Sequence, residues 1–192
     1  MEVKEKGATP EGLVRTYIRA KDENRPHLME HVFAEDACLE IIVKSERISF
    51  PPVTRGLVPI TDVLVRNFAI TYENIYTFCL DRPNLQTGGN GFSCDWLVGM
   101  SEREGGHVRV GCGCYDWRFS PEGSCLVDRL VITIEVMQVL PPGCIKEVFE
   151  WLSGLPYPWC SAEAIAKTAP VLEGIEAVIE YLTREEKSAR EA

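Results

Sequence analysis

The sequence predicts an α+β fold: a cone-shaped, curved antiparallel sheet wrapped around N-terminal helices, with an added C-terminal helical extension. Three observations predict it. Apolar residues recur at helical spacing near the N-terminus, as Leu13, Val14, Tyr17 and Ile18. Between residues 74 and 140 the chain reads as consecutive alternating strands separated by turn residues. Past Pro141-Pro142 the helical period returns in "GCIKEVFEWLSGL".

Thr9 is positioned to cap the first helix and Pro10 to occupy its first turn, where a missing N–H costs nothing. A second short helix is expected after Pro26, with Leu28, Val32 and Phe33 facing inward, ending at "FAEDA". The β-branched run "CLEIIV", 38–43, reads as the first strand. "SFPPVTRG" is a proline-broken connection, because proline has no N–H to give a ladder. A third helix from Pro59 would bury Ile60, Val63, Leu64 and Phe68 and wet Arg66 and Asn67. "NIYTFCL" is a strand and "GGNG" a loop. In "FSCDWLVGM" the alternation puts Phe92, Cys94, Trp96, Val98 and Met100 on one face. "EREGG" is a hairpin turn into "HVRVGCGCYDWRF", "SPEG" is a further turn, and "CLVDRLVITIEVMQVL" is the long last strand. "LPYPWC" is a rigid aromatic linker. Pro170 is expected to start a final helix burying Val171, Leu172, Ile175, Val178, Ile179 and Leu182 before a charged tail.

Charge and composition narrow the function. The 192 residues carry 20 Lys and Arg against 29 Asp and Glu, a formal charge of −9. An acidic surface repels phosphate backbones, so nucleic acid is not an expected partner. No apolar run approaches the roughly 20 residues that cross a bilayer, and "MEVKEKGATPEG" lacks the apolar centre of a secretory signal. A cytoplasmic, reducing location is the expectation. The eight cysteines, at 38, 79, 94, 112, 114, 125, 144 and 160, form no CxxC pair and sit mostly in apolar runs, as small buried hydrophobes do. Cys112 and Cys114 raise a CxC metal reading. His27 and His31 have a metal-compatible i,i+4 spacing, but no third ligand has recognisable spacing. No metal and no cofactor are expected. His107, beside a glycine turn, reads as surface.

"TYIRAKDENRPHLMEHVFAEDACLE", "TRGLVPI" and "WRFSPEG" resemble the nuclear transport factor 2-like superfamily, which includes the SnoaL-like polyketide cyclases and the ketosteroid isomerases. The resemblance spans residues 8–140 as one α+β barrel domain and leaves 141–192 as the extension. It specifies the fold well and the function badly, since this fold hosts unrelated activities.

What the resemblance implies for catalysis can be taken position by position. Tyr17 matches the oxyanion-donating tyrosine of the isomerases. Their aspartate base falls on Ile41, and their protonated aspartate donor on Tyr115. The isomerase chemistry therefore lacks its base. The Arg-x-Asp of the limonene epoxide hydrolases would need an arginine at Ser93 beside Asp95, and the aspartate of the scytalone dehydratases falls on Ile18. Each of these chemistries misses an essential group.

The resemblance places Phe92, Trp96, Val98, Met100 and Trp117 on the concave face with Tyr115, and Gly111 and Gly113 would leave that wall bare. Two readings stand. One is a filled core, a non-catalytic dimerisation or protein-interaction module. The other is an apolar pocket for a small, flat molecule, with Tyr17 and Tyr115 as candidate catalytic hydrogen-bond donors in isomerisation, cyclisation or hydration. A homodimer is expected, with Cys112, Cys114, Val108 and Val110 at its interface. The extension would serve as a pocket lid or a dimer brace.

Overall fold

The computed structural model describes residues 9–83, 90–120 and 125–184. Helix α1 runs Pro10–Asp22, and the Thr9 hydroxyl accepts from the Gly12 N–H at its start. A 3₁₀ turn, Pro26–His31, ends one residue before Val32, so the chain is already extended at Phe33. Strand β1 is Phe33–Val43, longer than the expected 38–43; its pairing is irregular between Phe33 and Cys38, so "FAEDA" lies inside the strand.

The proline-broken connection carries a short edge strand, β2 (Val53–Arg55). Helices α2 (Leu57–Thr61) and α3 (Asn67–Thr71) follow, continuous through a π-helical turn, Asp62–Arg66. Then come β3 (Tyr72–Cys79), β4 (Gly91–Glu102), β5 (Val108–Phe119) and β6 (Val127–Leu140). The order is β2-β1-β6-β5-β4-β3 in one curved, unclosed sheet. Four neighbour pairs are antiparallel, whereas β1 and β6 run parallel, which makes the sheet mixed. Most of the turn expected at Ser120–Gly123, most of the tail and part of "GGNG" lie outside the described residues.

Strand alternation divides the apolar residues into two cores. Trp96, Val98, Met100, Tyr115 and Trp117 meet Tyr17, Ile18 and Leu64 on the concave side. Phe78, Leu97, Val108, Val110 and Cys112 form the other face. That second face is where self-association was expected. It is instead covered by the chain's own α4 (Ile145–Ser153) and α6 (Ile175–Leu182), with α5 (Ala162–Thr168) between them in sequence. Leu152 sits so closely over β4 that a Cβ on Gly99 would lie 2.1 Å from its Cδ1. Val108, Val110 and Cys112 are fully buried within one chain, so any dimer must use another surface.

Helix α5 was not expected, and α6 is shorter than the helix expected from Pro170. Gly174 takes φ +94°, a left-handed turn that restarts the chain direction immediately before Ile175. Val171 is therefore 94% exposed, while Leu172 and Ile179 are half-buried. The segment between α4 and α5 runs along the free edge of β3. Cys79 N–H donates to the Pro158 carbonyl at 2.8 Å, and Cys160 N–H to the Cys79 carbonyl at 3.0 Å. This pairing caps an otherwise open strand edge.

Candidate functional site

The site begins on one face of α1. Tyr17 and Lys21 stand one turn apart and are 1% and 6% exposed, because this face lies against the concave side of the sheet. Lys21 was not anticipated. Its i,i+4 relation to Tyr17 was the available signal, and a lysine is seldom buried without a partner. Here the partners are present: Nζ donates to Asp22 Oδ1 at 3.0 Å and to Thr77 Oγ1 at 2.7 Å, and lies 5.0 Å from the Phe68 ring centroid.

Opposite α1, Trp96 and Tyr115 stack at 5.5 Å, and Tyr115 meets Tyr17 edge-on at 6.0 Å. Burial is the main cause that pushes both tyrosine pKa values above the usual 10.0. Both groups stay protonated at neutral pH and act as donors. The glycine wall expected to be bare is filled. A Cβ on Gly113 would lie 2.9 Å from Trp96 Cζ2, and one on Gly111 2.5 Å from Met137 Cε. The missing side chains admit Trp96 and Met137 rather than a ligand.

A cavity of about 50 Å³ remains between α1 and the sheet. Of the residues named from sequence, Tyr17, Trp96, Val98, Met100 and Tyr115 line it. Phe92 and Trp117 do not. Trp117 is wedged against Tyr17 at 5.2 Å and Tyr115 at 5.5 Å, and both residues border a separate surface depression. Ile41 is in the wall, so the position that holds the base in the isomerases is aliphatic here. Leu64, Phe68, Ile132, Ile134 and Met137 complete the inner surface, and Ile48 and Phe50 close it from the β1–β2 connection. Ile48, Phe50 and Phe68 also border an outer groove of about 260 Å³. They form the partition between the two spaces.

Among the described residues, the wall contains no carboxylate, imidazole, amide or aliphatic hydroxyl side chain. The polar side-chain groups of its lining residues are the Tyr17 and Tyr115 hydroxyls, the Lys21 ammonium and Trp96 Nε1–H, which is buried without a hydrogen-bond partner among the described residues. All can donate, and none is placed as a general base. The other sequence candidates lie elsewhere. His27, His31 and His107 are exposed, and Asp95 pairs with Arg184 at 2.9 Å on the opposite face. Glu40 and Arg129 pair across β1 and β6 at 2.8 Å. Cys112 is buried against α6, and burial pushes its thiol up to about 12. Among the described residues, no group of three His, Cys, Asp or Glu side chains is placed to hold a metal.

No family model matches the chain, and no curated protein matches it. Solved structures do. A nuclear transport factor 2-like superfamily protein from Salmonella enterica serovar Typhimurium superposes with TM-score 0.53 at 15% identity, over 66% of this chain and 88% of that one. A type 2 hexachlorocyclohexane dehydrochlorinase, LinA, gives 0.55 at 14% identity, over 67% and 84%. A computationally designed 17-OHP binder gives 0.53 at 14%, over 66% and 95%. The chain thus has the nuclear transport factor 2-like fold. Among the described residues no helix is long and apolar enough to cross a membrane.

Proposed function

We propose that the chain binds a small, largely apolar molecule in its cone, held by Tyr17 and Tyr115 and walled by Trp96, Val98 and Met100. The observation that supports this reading is the donor-lined apolar cavity at Tyr17, set behind a three-residue partition from a larger groove. Proteins sharing the fold include a designed binder of 17-OHP and a hexachlorocyclohexane dehydrochlorinase. With no base in the wall, isomerisation, cyclisation or hydration would rest on hydrogen-bond donation to the ligand. A filled interaction module is the poorer reading, because its core would leave no cavity at Tyr17.

Size adds a condition. The cavity of about 50 Å³ is about a third of the roughly 150 Å³ that admits benzene. A ring-sized ligand therefore enters with Ile48 and Phe50 displaced toward the outer groove. The test is thermal unfolding with acetophenone and isopropylbenzene. Saturation at about a hundredfold over Kd stabilises by about 2.7 kcal/mol, and Val98→Phe, which plugs the wall, abolishes the shift. Tyr17→Phe weakens acetophenone binding. No shift with either probe would refute the reading.

A further inference from the structure

The C-terminal segment reaches the end of α1 through Tyr157, while its Trp159 packs into the concave core. Tyr157 packs edge-on against Phe78 and Tyr76, at 5.7 and 6.2 Å between ring centroids, on the outer side of β3. Its hydroxyl passes the strand edge and donates to Asp22 Oδ2 at 2.9 Å. Asp22 is the C-terminal residue of α1, with a side chain only 3% exposed. Its Oδ2 also accepts from the Thr77 N–H at 2.7 Å, and its Oδ1 accepts from Thr77 Oγ1 at 2.8 Å and Lys21 Nζ at 3.0 Å. A carboxylate offers about four acceptor sites; all are used, so its orientation is fixed.

Lys21 inherits that fixity. Two of its three N–H donors go to Asp22 and Thr77, and one is left on a side chain that lines the cavity. We propose that Tyr157 is a positioning residue of the pocket: through Asp22 it holds the Lys21 ammonium in the wall as the anchor for a ligand's acceptor atom. The C-terminal segment is then part of the binding site rather than a cover for the sheet alone. The Lys21–Asp22 pair is neutral in sum, and burying a further unpaired charge is costly. The acceptor that fits is a neutral oxygen, such as a carbonyl, on an apolar body.

This inference rests on the binding reading above, and the experiment separates the two. Acetophenone, isopropylbenzene and benzoate share one shape and differ in the polar group. Affinities are measured by calorimetry at neutral pH on the full chain. The readout is the ratio of acetophenone to isopropylbenzene affinity, which general loosening of the pocket leaves unchanged. Lys21→Met is expected to lower it about tenfold, the effect of losing one charge-assisted hydrogen bond. Should that variant unfold through its unpaired Asp22, Lys21→Met with Asp22→Asn removes both charges and carries the same expectation. Tyr157→Phe is expected to lower the ratio severalfold. Unchanged ratios in these variants, or benzoate binding tighter than acetophenone, would overturn the anchor while leaving the pocket. Failure of all three probes to bind would overturn the binding reading and this inference together.

Discussion

Replacing Asp22 by alanine probes the joint between α1, β3 and the C-terminal segment. The substitution removes an acceptor of four hydrogen bonds and strands Lys21, whose side chain is only 7% exposed. Removing one partner of a buried pair costs about 3–5 kcal/mol, because the surviving charge stays desolvated. That is a large share of the roughly 5–15 kcal/mol that holds a domain folded. At about 2–4 °C per kcal/mol for a chain of this size, Tm falls by roughly 6–20 °C. Differential scanning calorimetry with urea melts measures it. Lys21→Met combined with Asp22→Asn should recover most of the loss, since no buried charge is left alone. A loss below about 1 kcal/mol for Asp22→Ala, the worth of a surface ion pair, would mean that the network is solvated and the reasoning fails.

Three further predictions concern other residues. Burial holds the folded-state pKa of Tyr17 and Tyr115 above the ordinary 10.0. Stability is therefore whole below about pH 10 and falls as pH rises, by about 1.4 kcal/mol per pH unit for each tyrosine that only the unfolded chain ionises. Urea melts on the alkaline side and tyrosinate absorbance check this, and early ionisation of both rings would contradict it. Gly113→Ala would push a Cβ to 1.8 Å from the Thr133 carbonyl oxygen and 2.9 Å from Trp96 Cζ2, costing about 1–3 kcal/mol or more and changing Trp fluorescence. A neutral outcome would show that β5 moves freely there. Phe50→Ala removes the ring stacked on Phe68 at 6.4 Å and should speed acetophenone association in stopped flow; an unchanged rate would place the entrance elsewhere.

The fold was legible because its elements obey simple periods. Thr9-Pro10 marked α1, and strict alternation from Phe92 to Met100 separated the two faces of β4 correctly. What escaped the sequence depended on long-range placement. The parallel pairing of β1 with β6 brings together strands at opposite ends of the domain, and no local pattern encodes it. Pro170 resembled a helix start, but the left-handed Gly174 decided where α6 begins. At the site, the strand phase found Trp96, Val98 and Met100, yet it could not tell how far along the cone the cavity lies. Phe92 and Trp117 share the face and miss the cavity. Ile48 and Phe50 sit in an irregular connection with no period to read. Lys21 was within reach of the helical period, but its charge argued for the surface until Asp22 and Thr77 supplied partners.

The most direct measurement is a high-resolution structure of the protein saturated with acetophenone. The expected result is the ring between α1 and the sheet against Val98 and Met100, with its oxygen hydrogen-bonded to Lys21 Nζ or a tyrosine hydroxyl and the Ile48–Phe50 connection displaced outward. A closed, unoccupied cone at saturating ligand, or acetophenone bound only on the outer surface, would contradict the proposed function.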